Sequence, residues 1–126
     1  MSRTALSSSL NTPAVRSLLL VGVEPFVERL KKMGFESIRQ EPDYYGFSAA
    51  LGSIDISLYE LVNAYRTMAQ GGMWNELQLM LGAREGKPKE VMSPDATFIV
   101  SNILADRESR SATFGLENFL STRSEK

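Results

Sequence analysis

Ser9-Leu10-Asn11 is the stretch whose side chains match one part of an acyl-transfer site: a hydroxyl that can pass a proton, two positions from a carboxamide that can hold an amide. The chain contains neither His nor Cys, which removes Ser-His-Asp arrangements, thiol nucleophiles, disulfides and zinc sites built on those ligands. What survives is a serine deprotonated by a lysine, and that chemistry needs the two residues one helical turn apart. No serine has a lysine three residues on. None of Lys31, Lys32, Lys87, Lys89 and Lys126 leads into Thr-Gly or Ser-Gly, the partner sequence expected on a strand edge.

Taken alone, the tripeptide has a plainer reading, in which Asn11 or Thr12 caps a helix starting at Pro13 and Ser7, Ser8 and Ser9 are solvated. Glu24 and Glu28 lie one turn apart, but Arg29, Lys31 and Lys32 follow closely, so the pair reads as a solvated helix face. Tyr44-Tyr45 suits local packing in a loop or the wall of a groove, and Trp74 after Gly71-Gly72 suits an anchor for the segment that follows.

The elements that must position these residues are mainly helical. Thr12-Pro13 reads as N-cap and first helical position, with Ala14, Leu18 and Leu19 on one face before Gly22. Pro25 starts a second helix whose Phe26, Leu30 and Met33 share a side and whose end is marked by Gly34. Residues 35–53 read as loop with a turn of helix. Ser57-Leu58-Tyr59-Glu60 is a capping box, with Ile56 and Leu61 at staple positions. Leu58, Leu61, Val62, Tyr65, Met68 and Ala69 then form a stripe of helical period, which predicts a buried face packed on Phe98, Ile99 and Ile103 of the helix opened by Ser93-Pro94-Asp95. Alternating apolar residues between Met73 and Met92, around a loop at 82–88, suit a short hairpin. The polar tail from about Asp106 is expected to fray.

The 126 residues suffice for one domain with a modest core. A formal charge of −1 with mixed signs excludes a phosphate-binding face, so nucleic acid is not an expected partner. The longest apolar run, Leu18 to Val23, is far too short to span a bilayer, and the N-terminus has no signal-peptide pattern. The chain is therefore expected to be soluble, without an address of its own.

The runs "ALSSSLNTPAVRSLLLVGVEPFVERLKKMGF", "YGFSAALGSIDISLYELVNAYRTMAQGGMW" and "VMSPDATFIVSNILADRESRSATFGLENFLSTR" resemble the transpeptidase domain of class A penicillin-binding proteins, most closely those of the 1C type. The likeness covers residues 3 to about 123, and the ordered set Ser-x-Asn, Ala-Leu-Gly, Leu-x-Glu-Leu-x-Asn-Ala-Tyr and Phe-Gly is more specific than any piece. It implies a partial transpeptidase domain over residues 1–126, the mainly α helical subdomain of the penicillin-binding/β-lactamase-like fold. Ser9 would pass protons and Asn11 would hydrogen-bond the amide of a peptidoglycan stem peptide or a β-lactam, with no metal or cofactor.

The parent so implied is a periplasmic enzyme anchored to the inner membrane and carrying a glycosyltransferase domain. Its Ser-x-x-Lys and Lys-Thr-Gly motifs are missing here, so this chain alone is expected to be inactive. An apolar surface left bare, combining Leu18 to Val23 with part of 73–81, is expected to favour self-association. A reading of another class is an independent all-α interaction module from a truncated gene.

Overall fold

A computed structural model describes residues 2–82 and 86–117. Its helices are α1 (Ser2–Ser7), α2 (Asn11–Val21), α3 (Val23–Lys32), α4 (Pro42–Tyr45), α5 (Leu58–Ala69), α6 (Pro94–Ala105) and α7 (Arg107–Phe114), with a 3-10 helix at Phe47–Leu51. Two short strands, β1 (Met73–Trp74) and β2 (Lys89–Glu90), pair antiparallel with Met73 opposite Glu90 and Trp74 opposite Lys89. The result is mostly helical with one small hairpin. No helix among the described residues is long and apolar enough to cross a membrane.

The α5 capping box forms as its sequence requires. The Ser57 hydroxyl accepts from the Glu60 amide at 3.2 Å, and the Glu60 carboxylate accepts from the Ser57 amide at 2.8 Å. The same carboxylate reaches into the segment after α3, where it accepts from the Ser37 amide at 2.7 Å and the Ser37 hydroxyl at 2.6 Å. Burial alone would raise the Glu60 pKa, but the hydrogen bonds from Ser37 and Ser57 outweigh it and lower it to about 2. Ser93 caps α6 by accepting from the Ala96 amide at 3.3 Å.

The core gathers Val27 of α3, Met33, Phe35 and Ile38 of the segment after it, Ala64 of α5 and Val91, with Val23, Leu30, Tyr45, Ile54, Trp74 and Met92 packed against them. Two glycines permit this assembly. Gly34, at φ +87°, ends α3 and lies under the Trp74 indole, where a Cβ would stand 2.7 Å from Nε1. Gly72, at φ +92°, accepts from the Val91 and Met92 amides at a spot where a Cβ would collide with the Met92 carbonyl. Trp74 does anchor the following segment, with Lys89 stacked 5.9 Å from its ring.

The expected packing of α5 on α6 through their apolar stripes is corrected. α5 buries Glu60, Asn63, Ala64 and Thr67, while Leu61, Val62 and Tyr65 are 39%, 49% and 62% exposed. On α6, Thr97 and Ile103 are buried, whereas Phe98 and Ile99 face outward. The reason is polar demand. The backbone at Ser37 and Asn75 needs hydrogen-bond partners inside the fold, and Glu60 and Asn63 provide them, the latter donating to the Asn75 carbonyl at 3.1 Å. Thr67 satisfies its own hydroxyl on the Asn63 carbonyl at 2.8 Å, so this polar face is buried with its bonds made.

The ends of the chain hold two more differences. α2 begins at Asn11 with Leu10 before it, not at Pro13 behind a Thr12 cap. Where fraying was expected from Asp106, α7 forms over Arg107–Phe114 because the Asp106 side chain caps it, accepting from the Ser109 amide at 3.1 Å and hydroxyl at 2.6 Å. Residues 118–126, the remainder of that tail, lie outside the described residues.

Denaturation should separate these roles. Phe35→Ala, in the core, should cost about 3 to 5 kcal/mol, and Leu61→Ala, on the outward stripe, less than about 1 kcal/mol. Because the Glu60 pKa is depressed by folding, its contribution is complete above 4.5, its ordinary value, and is lost as pH falls toward about 2. Glu60→Gln should therefore be less stable at neutral pH and lose less between pH 4.5 and 2; unchanged acid sensitivity would contradict the assignment.

Candidate functional site

α1 and α2 meet in a turn whose geometry is set by two backbone bonds. The Leu10 amide donates to the Ala5 carbonyl at 3.0 Å and the Ser9 amide to the Leu6 carbonyl at 3.1 Å. This is the Schellman ending of a helix, and it places Ser9 at the left-handed position that glycine usually takes. Its φ is +54°, which no other non-glycine among the described residues has in the positive range. A serine held there carries backbone strain of order 1 kcal/mol, retained only because the surroundings fix it.

Those surroundings are the neighbouring serines. Ser7 and Ser8 are buried, and their hydroxyls donate to the Ser109 carbonyl of α7 at 2.9 and 3.4 Å. Arg3 extends the clamp, donating to Asp106 Oδ2 at 2.9 Å and Asn102 Oδ1 at 2.8 Å. Hydrogen bonds from the Ser109 hydroxyl and amide, joined by Arg3 with its charge, hold the Asp106 carboxyl at about 2. The expectation of three solvated serines therefore holds for Ser9 but not for Ser7 and Ser8.

After Ser9 the chain passes through Leu10 in an extended conformation and enters α2 without any side-chain cap. Asn11 thus does not fold back onto the helix amides, as the capping reading required. Pro13 falls at the third helical position, where an amide would have no intrahelical acceptor in any case. Ser9 and Asn11 are both exposed and both line one broad depression, whose floor and walls come from Leu10, Ala14, Leu51, Tyr65, Ile99, Ile103 and Phe114. Neither side chain has a hydrogen-bond partner among the described residues, so hydroxyl and carboxamide are free to meet a ligand.

Residues 2–119 match the penicillin binding protein transpeptidase domain. The chain belongs to the penicillin-binding protein transpeptidase family. Among curated relatives, a stretch of 70 residues is 39% identical to Penicillin-binding protein 1A of Rickettsia felis, and one of the same length and identity matches Penicillin-binding protein 1A of Rickettsia conorii. Each match covers 56% of this chain and 8% of the relative, so the chain spans a small part of the curated relatives it matches.

Within this penicillin-binding transpeptidase domain, the other residues singled out from sequence are dispersed. Glu24 and Glu28 are exposed on α3, away from the depression. Tyr44 and Tyr45 pack edge to face with centroids 5.3 Å apart. Among the described residues no cluster of three His, Cys, Asp or Glu could hold a metal ion. Arg110 was missed by the sequence reading. It lines the depression from α7 and has no distinctive spacing to mark it among fourteen basic residues.

Replacing Ser9 by glycine should raise stability by up to about 1 kcal/mol, because glycine adopts positive φ without strain, while Ser9→Val should lower it. Chemical denaturation checks both. A Ser9→Gly variant less stable than the parent would mean the hydroxyl holds the turn rather than being displayed by it.

Proposed function

We propose that the chain is the helical part of a peptidoglycan transpeptidase of the 1C type, in which Ser9 relays protons and Asn11 hydrogen-bonds the amide of the bound stem peptide or β-lactam. The observation that carries this reading is Ser9 displayed at a left-handed turn two residues before Asn11, both without a side-chain partner among the described residues and both lining an open depression. The 1C assignment rests on the ordered motifs quoted above, while the relatives matched bear the 1A name.

In the parent reaction, a serine from a Ser-x-x-Lys motif attacks the carbonyl between two terminal D-alanines. A new ester bond forms, the peptide bond breaks, and the leaving D-alanine takes a proton. An acceptor amine then displaces the serine, which regains its proton. A hydroxyl at the position of Ser9 shortens the path between leaving nitrogen and base, and a carboxamide at Asn11 fixes the substrate amide so that the carbonyl faces the nucleophile. This chain lacks a serine in register with a lysine and is inactive in isolation. The parent sits in the periplasm, held at the inner membrane, beside a glycosyltransferase domain.

The second reading, an independent all-α interaction module, is favoured by the outward apolar stripes of α5 and α6, which also suit self-association. Flanking coding sequence separates the two: Ser-x-x-Lys before and Lys-Thr-Gly after mark the enzyme.

Fluorescent penicillin should leave the isolated chain unlabelled on a denaturing gel. In a parent protein carrying all three motifs, Ser9→Ala or Asn11→Ala should slow acylation by roughly a hundredfold or more. A stable adduct on the isolated chain that vanishes with Ser9→Ala would overturn the claim of inactivity, and an unchanged rate in the parent would remove Ser9 from the mechanism.

A further inference from the structure

The carboxylate of Asp106 joins both ends of α1. At the first turn of that helix Arg3 Nη1 donates to Asp106 Oδ2 at 2.9 Å, and Arg3 Nη2 donates to Asn102 Oδ1 at 2.8 Å. At its last turn the Ser7 and Ser8 hydroxyls donate to the Ser109 carbonyl at 2.9 and 3.4 Å. Ser109 is itself held by Asp106, which accepts from its amide at 3.1 Å and from its hydroxyl at 2.6 Å. Ser7 and Ser8 are 7% and 3% exposed, so their hydroxyls cannot exchange that carbonyl for water unless the backbone at their position turns. Ser7 has a second acceptor in the Thr4 carbonyl at 3.3 Å, whereas the Ser8 hydroxyl makes no other bond among the described residues. The next residue, Ser9, is at φ +54°, a conformation that a serine leaves when nothing fixes it.

We propose that Asp106 is a positioning residue for Ser9: by capping α7 and orienting the Ser109 carbonyl, it holds the end of α1 in the turn that presents the Ser9 hydroxyl. Asp106 is not among the residues lining the depression and acts through Ser109, Ser7 and Ser8. An aspartate suits this task because its two oxygens accept from three donors, one on α1 and two on α7. An asparagine would keep the bond to the Ser109 amide but could not use both oxygens in this way. The effect on acylation rests on the relay role proposed for Ser9; the effect on the conformation of Ser9 does not.

The test on the 126-residue chain reads the intraresidue NH–Hα cross-peak of Ser9 in NOE spectra, which is strong only at positive φ. Asp106→Ala should reduce it to the intensity shown by ordinary helical residues. Ser93→Ala, which removes the cap of α6 and a similar amount of stability, should leave it unchanged. Asp106→Asn, which still accepts from the Ser109 amide, should keep more of it than Asp106→Ala. Persistence of the cross-peak in Asp106→Ala, an equal loss in Ser93→Ala, or an Asn variant no better than Ala would each overturn the proposal. Should Asp106→Ala fail to fold, the double variant Ser7→Ala with Ser8→Ala decides, since it cuts the same link and leaves the α7 cap in place; an undiminished cross-peak there overturns the proposal as well. In a parent carrying all three motifs, Asp106→Ala should slow acylation about as much as Ser9→Ala, and the two together no more than either alone. A rate that falls with Ser9→Ala but not with Asp106→Ala overturns the positioning role. A rate indifferent to Ser9→Ala removes the relay and leaves the positioning to the NMR result.

Discussion

The Glu60 carboxylate is the constraint on which the fold turns. It accepts four hydrogen bonds, two from Ser57 at the start of α5 and two from Ser37 in the segment after α3. That segment carries Phe35 and Ile38, so the bonds that cap α5 also fix where two core side chains enter. A carboxylate buried this deeply is tolerable only when its lone pairs are filled, and the price of filling them is orientation. α5 must turn its Glu60, Asn63, Thr67 face inward, and its Leu61, Val62, Tyr65 face then points away.

The outward stripe has consequences beyond α5. Phe98 and Ile99 of α6 and Leu10 of the Ser9 turn are exposed as well, and Tyr65, Ile99 and Leu10 all border the same depression. An apolar rim around a polar pair lowers the local dielectric once a ligand covers it, which strengthens each hydrogen bond the ligand makes. The exposure of these side chains is thus not a defect of packing near the site. It surrounds the Ser9 and Asn11 groups with apolar surface, on which any polar contact they made would count for more.

What was legible in the sequence was mostly local. The Ser57 capping box, the Ser93 cap, the ends marked by Gly34 and by Gly71-Gly72, and the short hairpin around residues 73 to 90 depend on neighbours in the chain, and all were readable from spacing. The packed face of α5 was not readable, because an apolar stripe shows which side prefers to leave water but not which side the rest of the fold can reach. The polar face won through bonds to Ser37 and Asn75, residues whose approach no periodicity encodes. The start of α2 escaped for a related reason. Its position follows from the Schellman turn after α1, and a serine standing where glycine is usual gives no signal of a left-handed bend.

That absent signal bears on how the site is built. A glycine at position 9 would make the turn with less strain but would carry no hydroxyl, whereas serine keeps the hydroxyl and accepts the backbone cost. The cost is tolerable only if the turn cannot relax, and the Ser7 and Ser8 bonds to Ser109, reinforced by Arg3 on Asn102 and Asp106, prevent it from doing so. The end of α1 and the consecutive helices α6 and α7, about a hundred residues further on, therefore converge to hold one residue in an unfavourable conformation. Display of the Ser9 hydroxyl is what the arrangement achieves, and it depends on α7 as much as on Ser9-Leu10-Asn11 itself. The same convergence seats Arg110 beside the turn, so the Ser9 hydroxyl, the Asn11 carboxamide and the Arg110 guanidinium share one support.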